Sequence, residues 1–208
     1  MVHFLQILDF IGVAVFAISG GIVASRLKLD ILAFVLLATF TGIGGGTLRD
    51  LLLGVPVFWV INQTYLLVCV IAGVATWFMA HLGEALGKPL RWADAVGIAC
   101  YSVMGAAKTL TVVDRPVVAI LMGVATAAFG GVIRDTVAHQ PSAIIKGEIY
   151  LTAAFAGAFS YVAFVALHMP PRPAIVIAVL AAFILRAGAI QFGWSLPGYR
   201  APGSDPEG

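Results

Sequence analysis

Charged residues are scarce in this chain: they make up 11% of its 208 residues, whereas soluble domains carry roughly 25%. Hydrophobic residues make up 61%, and the mean hydropathy is +1.03. A chain with so little charge cannot solvate a soluble surface, so the composition predicts an integral membrane protein. Because each membrane-spanning helix takes about 20 residues, seven helices would use most of the chain. A large soluble catalytic domain is therefore excluded.

Sequence features of enzymes, metal sites and nucleic-acid binders are also missing. The sequence has no Gly-x-Ser-x-Gly elbow, phosphate loop or zinc motif, and its histidines show no ligand spacing. We therefore predict that the protein is not an enzyme and holds no cofactor and no metal. Its net charge of +2 comes from scattered residues, which does not fit a nucleic-acid binder. Cys69 and Cys100 lie in apolar runs, where cysteine is usually a small core residue.

Long apolar runs are what the sequence has in abundance. They do not alternate between apolar and polar residues, as the strands of an outer-membrane barrel do. The sequence therefore predicts an all-α membrane protein. Seven transmembrane helices are predicted, at residues 7–25, 31–53, 65–82, 94–112, 116–138, 150–168 and 173–190. We expect residues 1–190 to form a single transmembrane domain and residues 191–208, rich in Gly and Pro, to form a short flexible tail.

Basic residues in the connections predict the orientation in the membrane. An odd number of spans places the two termini on opposite sides. Because basic loops stay in the cytoplasm, we predict a multi-pass protein of the cell (inner) membrane with its N-terminus outside and its C-terminus in the cytoplasm. The basic residues on the predicted cytoplasmic side are Arg26, Lys28, Lys88, Arg91, Lys146 and Arg200, against Arg115 and Arg172 on the other side.

The chain contains an internal repeat with a period of 85 residues, covering residues 7–82 and 94–168. Each repeat holds three spans, so the second must enter the membrane from the opposite side. The sequence thus predicts two inverted three-helix repeats plus a seventh helix at residues 173–190. The matched pairs include Thr41 with Thr126, Gly45 with Gly130, Gly46 with Gly131, Arg49 with Arg134 and Asp50 with Asp135.

Glycines are concentrated in the second and fifth spans, which occupy matching positions in the two repeats. Inverted repeats commonly place an ion or substrate site near the membrane midplane at such helices. Several glycines within one or two turns predict a kink or an unwound stretch, whose freed carbonyls can bind cations in a water-filled cavity. The candidate residues of the ion pathway are Thr41, Gly44, Gly45, Gly46, Thr126, Gly130 and Gly131.

Five charged residues stand out inside the predicted spans, where each charge costs roughly 3 kcal/mol. They are Arg49, Asp50, Arg134, Asp135 and Lys108. Two interpretations of the Arg-Asp pairs stay open: they neutralise partners on other helices and hold the fold, or they line the pore or its gate. Lys108 either reaches the outer interface or acts as a gating or selectivity charge in the cavity. Asp9 and Asp94 precede their spans and are expected to cap helix starts.

The glycine motifs, Gly-Ile-Gly-Gly-Gly-Thr-Leu-Arg-Asp at residues 42–50 and Gly-Gly-Val-Ile-Arg-Asp at residues 130–135, resemble the prokaryotic trimeric intracellular cation (TRIC) channel family. The resemblance extends to Pro56 and to the Trp-Ser-Leu-Pro segment at residues 194–197. It implies a homotrimer with one hydrophilic pore per protomer, passage of K⁺ foremost among monovalent cations, and pore-lining kinks at the glycines. In animal relatives, basic residues of the helix that holds Lys108 are linked to gating or lipid binding.

These observations predict a passive K⁺ and Na⁺ channel in a lipid bilayer. The alternative is a small-solute carrier, such as one for glycine, because bacterial proteins of this broad family are connected with glycine uptake. In a carrier, half-helix N-termini at the breaks would bind a carboxylate. A third interpretation is a scaffold in which the buried Arg and Asp residues are purely structural.

Overall fold

A computed structural model describes residues 2–79, 87–142 and 149–196. The residues in these ranges form eight helices joined by short connections. The helices are α1 (Val2–Arg26), α2 (Ile31–Leu52), α3 (Phe58–Ile61), α4 (Thr64–Met79), α5 (Gly87–Val113), α6 (Pro116–Val137), α7 (Leu151–Ala166) and α8 (Pro171–Phe192).

Five of these helices, α1, α2, α5, α6 and α8, are long and apolar enough to cross a membrane. Helices α4 and α7 are apolar as well, but each has only 16 residues. The prediction of an all-helical membrane protein is confirmed. The count of seven spans stays a prediction. The last residues of the predicted third span and the predicted tail from residue 197 onward lie outside the described residues.

Helices α1 and α5 begin seven or fewer residues before the predicted spans, at Val2 and Gly87. Asp9 and Asp94 therefore lie inside these helices and are buried. The prediction that they cap helix starts is wrong, because each helix begins seven residues before its aspartate and continues through it. The aspartate that does cap a helix is Asp30, whose side chain accepts a hydrogen bond from the Ala33 N–H at 2.9 Å.

Equivalent helices of the two repeats pack against each other, α1 on α5 and α2 on α6. In the first pair, Gly12 lies against the Tyr101 ring and Gly97 lies against the Phe16 ring. The two rings are themselves neighbours, with centroids 5.4 Å apart. These contacts are reciprocal at the offset of 85 residues, and residue numbers rise along α1 as they fall along α5. The equivalent helices thus run antiparallel, as an inverted repeat requires.

Helix α8 stands outside the repeats and packs on α5 and α7 of the second repeat. Gly193, in the left-handed region with φ +68°, ends this helix. Cys69 and Cys100 are buried free thiols in α4 and α5. The fold therefore brings α1, α2, α5 and α6 together at the centre, where the predicted site residues lie.

Candidate functional site

Helices α2 and α6 cross in near contact at two glycines. A Cβ atom added to Gly130 would lie 2.5 Å from the Thr41 carbonyl oxygen, and one added to Gly45 would overlap the Thr126 carbonyl oxygen. Only glycine permits this separation of the two backbones. The two contacts are equivalent in the repeats, and residue numbers rise along α2 as they fall along α6. The helices are therefore antiparallel and related by a two-fold axis.

Thr41 and Thr126 lie at this crossing, and both are buried. The Thr41 hydroxyl donates to the Leu37 carbonyl oxygen at 2.6 Å, and the Thr126 hydroxyl donates to the Met122 carbonyl oxygen at 2.6 Å. Each hydroxyl uses its hydrogen within its own helix and keeps oxygen lone pairs for another donor or a cation. The two hydroxyls occupy equivalent positions against the neighbouring helices: a Cβ atom added to Gly20 of α1 would lie 2.6 Å from the Thr41 hydroxyl, and one added to Gly105 of α5 would lie 2.7 Å from the Thr126 hydroxyl.

The three other predicted glycines face side chains instead of the partner backbone. A Cβ atom added to any of them would lie 2.5 to 2.6 Å from its neighbour. The neighbours are Ile133 for Gly44, the Phe58 ring for Gly46 and the Tyr150 hydroxyl for Gly131. These glycines make room for large side chains beside the crossing.

Neither α2 nor α6 is interrupted at its glycines. The backbone is helical from Ile31 to Leu52 and from Pro116 to Val137. The prediction of an unwound stretch with freed carbonyls is therefore wrong, and the alternative of a kink within a continuous helix stays a prediction. The low helix propensity of glycine, about 1 kcal/mol per residue, is offset here by the close contact between helices that glycine permits.

One buried charge cluster lies at the C-terminal end of α2, and we call it the repeat-one cluster: Arg49, Asp50, Lys108 and Phe58. Arg49 Nε and Lys108 Nζ each donate to the Asp50 carboxylate at 2.8 Å. The Phe58 backbone N–H donates to the same carboxylate at 3.0 Å, and the Phe58 ring centre lies 5.9 Å from the Arg49 guanidinium. The Asp50 side chain is fully buried, whereas 32% of the Lys108 side chain is exposed. Lys108 thus turns inward to Asp50 and does not reach for the membrane interface.

The equivalent cluster at the end of α6, the repeat-two cluster, contains Arg134, Asp135, Asp94 and Ser19. Arg134 Nε donates to Asp135 Oδ1 at 2.9 Å, and its Nη1 and Nη2 donate to the Asp94 carboxylate at 2.6 and 3.2 Å. Ser19 accepts a hydrogen bond from Arg134 and donates one to Asp94 at 3.2 Å. The cluster therefore ties α1, α5 and α6 together through charge-assisted bonds.

The repeats use their equivalent aspartates, Asp9 and Asp94, differently. Asp9 accepts a hydrogen bond from the Tyr65 hydroxyl at 3.1 Å. Asp94 pairs with Arg134 instead, and the Tyr150 hydroxyl, equivalent to that of Tyr65, has no hydrogen-bond partner in the described part of the chain. Equivalent residues of the two repeats therefore occupy matching positions but form different hydrogen bonds.

Comparisons with known proteins agree with this architecture. A family model described as glycine transporter matches residues 6–81 and again residues 91–166. The UPF0126 membrane protein of Vibrio cholerae is 37% identical over 199 residues, which cover 93% of this chain and 82% of that protein. The UPF0126 inner membrane protein YadS of Escherichia coli K12 is 35% identical over 193 residues, which cover 91% of this chain and 93% of that protein.

Solved structures identify the fold more closely. The TRIC trimeric intracellular cation channel orthologue from Rhodobacter sphaeroides matches with a TM-score of 0.89 and 44% identity, over 92% of this chain and 99% of that one. This chain belongs to the TRIC channel family. A prokaryotic TRIC channel solved in 0.5 M KCl matches with a TM-score of 0.87 and 28% identity, over 94% of this chain and all of that one.

The two family-model matches begin at residues 6 and 91 and end at residues 81 and 166. Both boundaries are therefore offset by 85 residues, which is the period found by comparing the sequence with itself. The glycine transporter family model thus matches this chain twice with the same offset of 85 residues that relates the reciprocal contacts between α1 and α5 and between α2 and α6.

Arg186 is a buried charge of this TRIC-family chain that the sequence interpretation missed. It lies on α8, its residue is 3% exposed, and its guanidinium lies 5.3 Å from the Tyr150 ring centre. Position 186 has no counterpart in the repeat, so self-comparison could not reveal it. The available signal was a charge inside the apolar run at residues 173–190. Asp94 belongs to the repeat-two cluster, but the sequence interpretation assigned it, like Asp9, to helix capping.

Proposed function

We propose that the protein is a passive channel for monovalent cations, K⁺ over or alongside Na⁺, with one pathway in each protomer. A single observation carries this proposal: the antiparallel crossing of α2 and α6 is flanked on opposite sides by two buried Arg-Asp clusters of the same chain. Asp50 and Asp135 each lie five residues beyond a crossing glycine, or about 7.5 Å along the helix at 1.5 Å per residue. The polar groups therefore extend through roughly 15 Å of the 30 Å hydrocarbon layer.

The pathway is expected to follow the predicted residues at the crossing. Gly45 and Gly130 bring the helices together, and the oxygens of Thr41 and Thr126 would replace part of the hydration shell of a cation. The solved relatives are TRIC cation channels, which supports this proposal. We also propose a homotrimer in the cell (inner) membrane with seven spans, the N-terminus outside, and residues 1–190 as one transmembrane domain.

Lys108 is proposed to gate this pathway from the repeat-one cluster. Its side chain is 32% exposed, whereas the other three residues of the cluster are buried. A positive charge at such a position repels permeating cations while it is held against Asp50. Release of the ammonium from Asp50 would remove this repulsion, because Arg49 then balances the Asp50 charge.

Replacing Lys108 with Met is expected to raise the cation current severalfold, because the Asp50 charge is then balanced by Arg49 alone. Current per milligram of reconstituted protein under a K⁺ gradient measures this effect. The exposed Lys88, changed to Met, is the matched control and should leave the current unchanged. If the K108M variant kept both the wild-type current and the wild-type cation-to-anion selectivity, the proposal that Lys108 gates the pathway would be contradicted.

A small-solute carrier remains the second candidate, since the matching family model is described as a glycine transporter. The unbroken α2 and α6 speak against it, because a carboxylate would need half-helix N-termini at a break. One preparation of proteoliposomes should therefore be used to measure both K⁺ flux and labelled glycine uptake. The channel proposal predicts K⁺ flux that does not saturate with concentration. Saturable, competitive glycine uptake without such flux would favour the carrier.

A further inference from the structure

Arg186 of α8 brings a further buried charge to the repeat-two cluster. Its guanidinium lies 5.3 Å from the Tyr150 ring centre. A Cβ atom added to Gly131 of α6 would lie 2.6 Å from the Tyr150 hydroxyl and 3.7 Å from Arg134 Nη2. Tyr150 therefore places the Arg186 guanidinium beside this cluster. The charged residues that interact electrostatically with the Tyr150 hydroxyl include Asp94, Arg134, Asp135 and Arg186.

The charged residues at equivalent positions of the two repeats leave the same excess charge. Each repeat contributes one arginine and two aspartates, and therefore one excess negative charge: Arg49, Asp50 and Asp9 in the first, and Arg134, Asp135 and Asp94 in the second. In the first repeat Lys108 cancels the excess, because it binds Asp50 and interacts electrostatically with Asp9. Its repeat partner is the uncharged Val23. Arg186, from outside the repeats, therefore supplies the positive charge that Val23 does not.

The two added cations, Lys108 and Arg186, differ in their surroundings. The Lys108 side chain is 32% exposed, whereas Arg186 is buried and packs on an aromatic ring. An arginine guanidinium stays charged in proteins, and its planar shape suits it to stacking on rings. Arg186 is therefore a fixed positive charge, whereas Lys108 is the charge proposed above to move.

We propose that Arg186 is a selectivity-determining residue, which keeps the repeat-two cluster electrically neutral and thereby limits the binding of divalent cations in the pathway. This inference rests on the cation pathway proposed above, which the cluster flanks. Without Arg186, one excess negative charge would face the permeating ion. The Coulomb energy of an ion is proportional to its own charge. Any factor by which K⁺ binding is strengthened is therefore squared for Mg²⁺.

Replacing Arg186 with Gln tests the proposal in planar bilayers. The K⁺ concentration for half-maximal current is expected to fall roughly threefold, and the Mg²⁺ concentration that halves the K⁺ current is expected to fall roughly tenfold. The matched control is Arg172→Gln, at an exposed position of the same helix, which should keep the wild-type values. Wild-type sensitivity to Mg²⁺ in R186Q overturns the proposal.

Arg186→Lys separates the charge from the shape of the guanidinium. It keeps the positive charge but loses the planar group that packs on Tyr150, so it should keep the wild-type sensitivity to Mg²⁺. A changed sensitivity in R186K overturns the proposal, because the effect would then belong to the packing. This variant also decides the question if R186Q yields no folded protein.

Thermal unfolding in detergent gives a readout that does not need conduction. At constant ionic strength, exchange of KCl for MgCl₂ is expected to raise the unfolding temperature of R186Q and to leave that of the wild type unchanged, because a bound ion stabilises the folded state. A purely structural arginine would lower the unfolding temperature of R186Q without any dependence on Mg²⁺, and this result overturns the proposal. Absence of K⁺ current in the wild type would instead contradict the channel proposal.

Discussion

Replacement of Arg134 by Gln is expected to lower the free energy of unfolding by about 3–5 kcal/mol, the usual cost of removing one partner from a buried ion pair. Arg134 holds both Asp94 and Asp135 and also binds Ser19. Without it, two buried carboxylates lose their cation in the middle of the helix bundle. Thermal unfolding in detergent, followed by the loss of monodisperse protein, measures the effect.

The equivalent Arg49→Gln variant should be less damaging. Asp50 would still accept hydrogen bonds from Lys108 and from the Phe58 backbone N–H. The exposed Arg172, changed to Gln, controls for the loss of an arginine at the surface and should be neutral. Equal losses for the variants at 49 and 134 would contradict the difference in bonding between the two clusters. Intact stability together with altered flux in both would favour the pore-lining interpretation over the structural one.

A second large effect is expected for Gly45→Ala, which should lower stability by about 1–3 kcal/mol through overpacking and abolish most of the cation flux. The new Cβ atom would overlap the Thr126 carbonyl oxygen, which belongs to a helix backbone and cannot rotate away. Helices α2 and α6 would have to separate, and the oxygens at their crossing would move apart. Flux into proteoliposomes and thermal unfolding are measured on the same preparation.

Gly44→Ala is the matched control, since it changes the neighbouring residue of the same helix. Its Cβ atom would meet the terminal methyl of Ile133 at 2.5 Å, and the next atoms lie 3.8 Å away or farther. That methyl can move with a rotamer change, so the variant should keep its flux. It should be no less stable, because Ala favours a helix by about 1 kcal/mol over Gly. Equal flux and equal stability in the two variants would contradict the proposal that the backbone contact at Gly45 is required for conduction.

Much of the architecture could be predicted because the two halves of the sequence match at an offset of 85 residues. The matches of Arg49 with Arg134 and of Gly45 with Gly130 place the functional candidates on equivalent helices. The inverted relation followed from three helices per repeat. The contacts of Gly45 with Thr126 and of Gly130 with Thr41 show that the matched residues meet at one crossing.

Tertiary partners could not be predicted, because sequence spacing reports only which residues share a helix. The glycines suggested broken helices, since low propensity is visible in the sequence but a neighbouring backbone is not. Asp9 and Asp94 suggested helix caps because each lies at the beginning of an apolar run, whereas α1 and α5 in fact begin seven residues before them. Arg186 was overlooked because its partner Tyr150, which directly precedes α7, is far from it in sequence. In each case the missing information was the packing of one helix against another.

Single-channel recording of the purified protein in planar bilayers is the most direct test of the central claim that a cation pathway runs through each protomer. Under an asymmetric KCl gradient, unitary currents should reverse close to the K⁺ equilibrium potential, and Gly45→Ala should reduce their amplitude or frequency while Gly44→Ala leaves them intact. Absence of unitary current at all voltages, or reversal close to the Cl⁻ equilibrium potential, would contradict the claim.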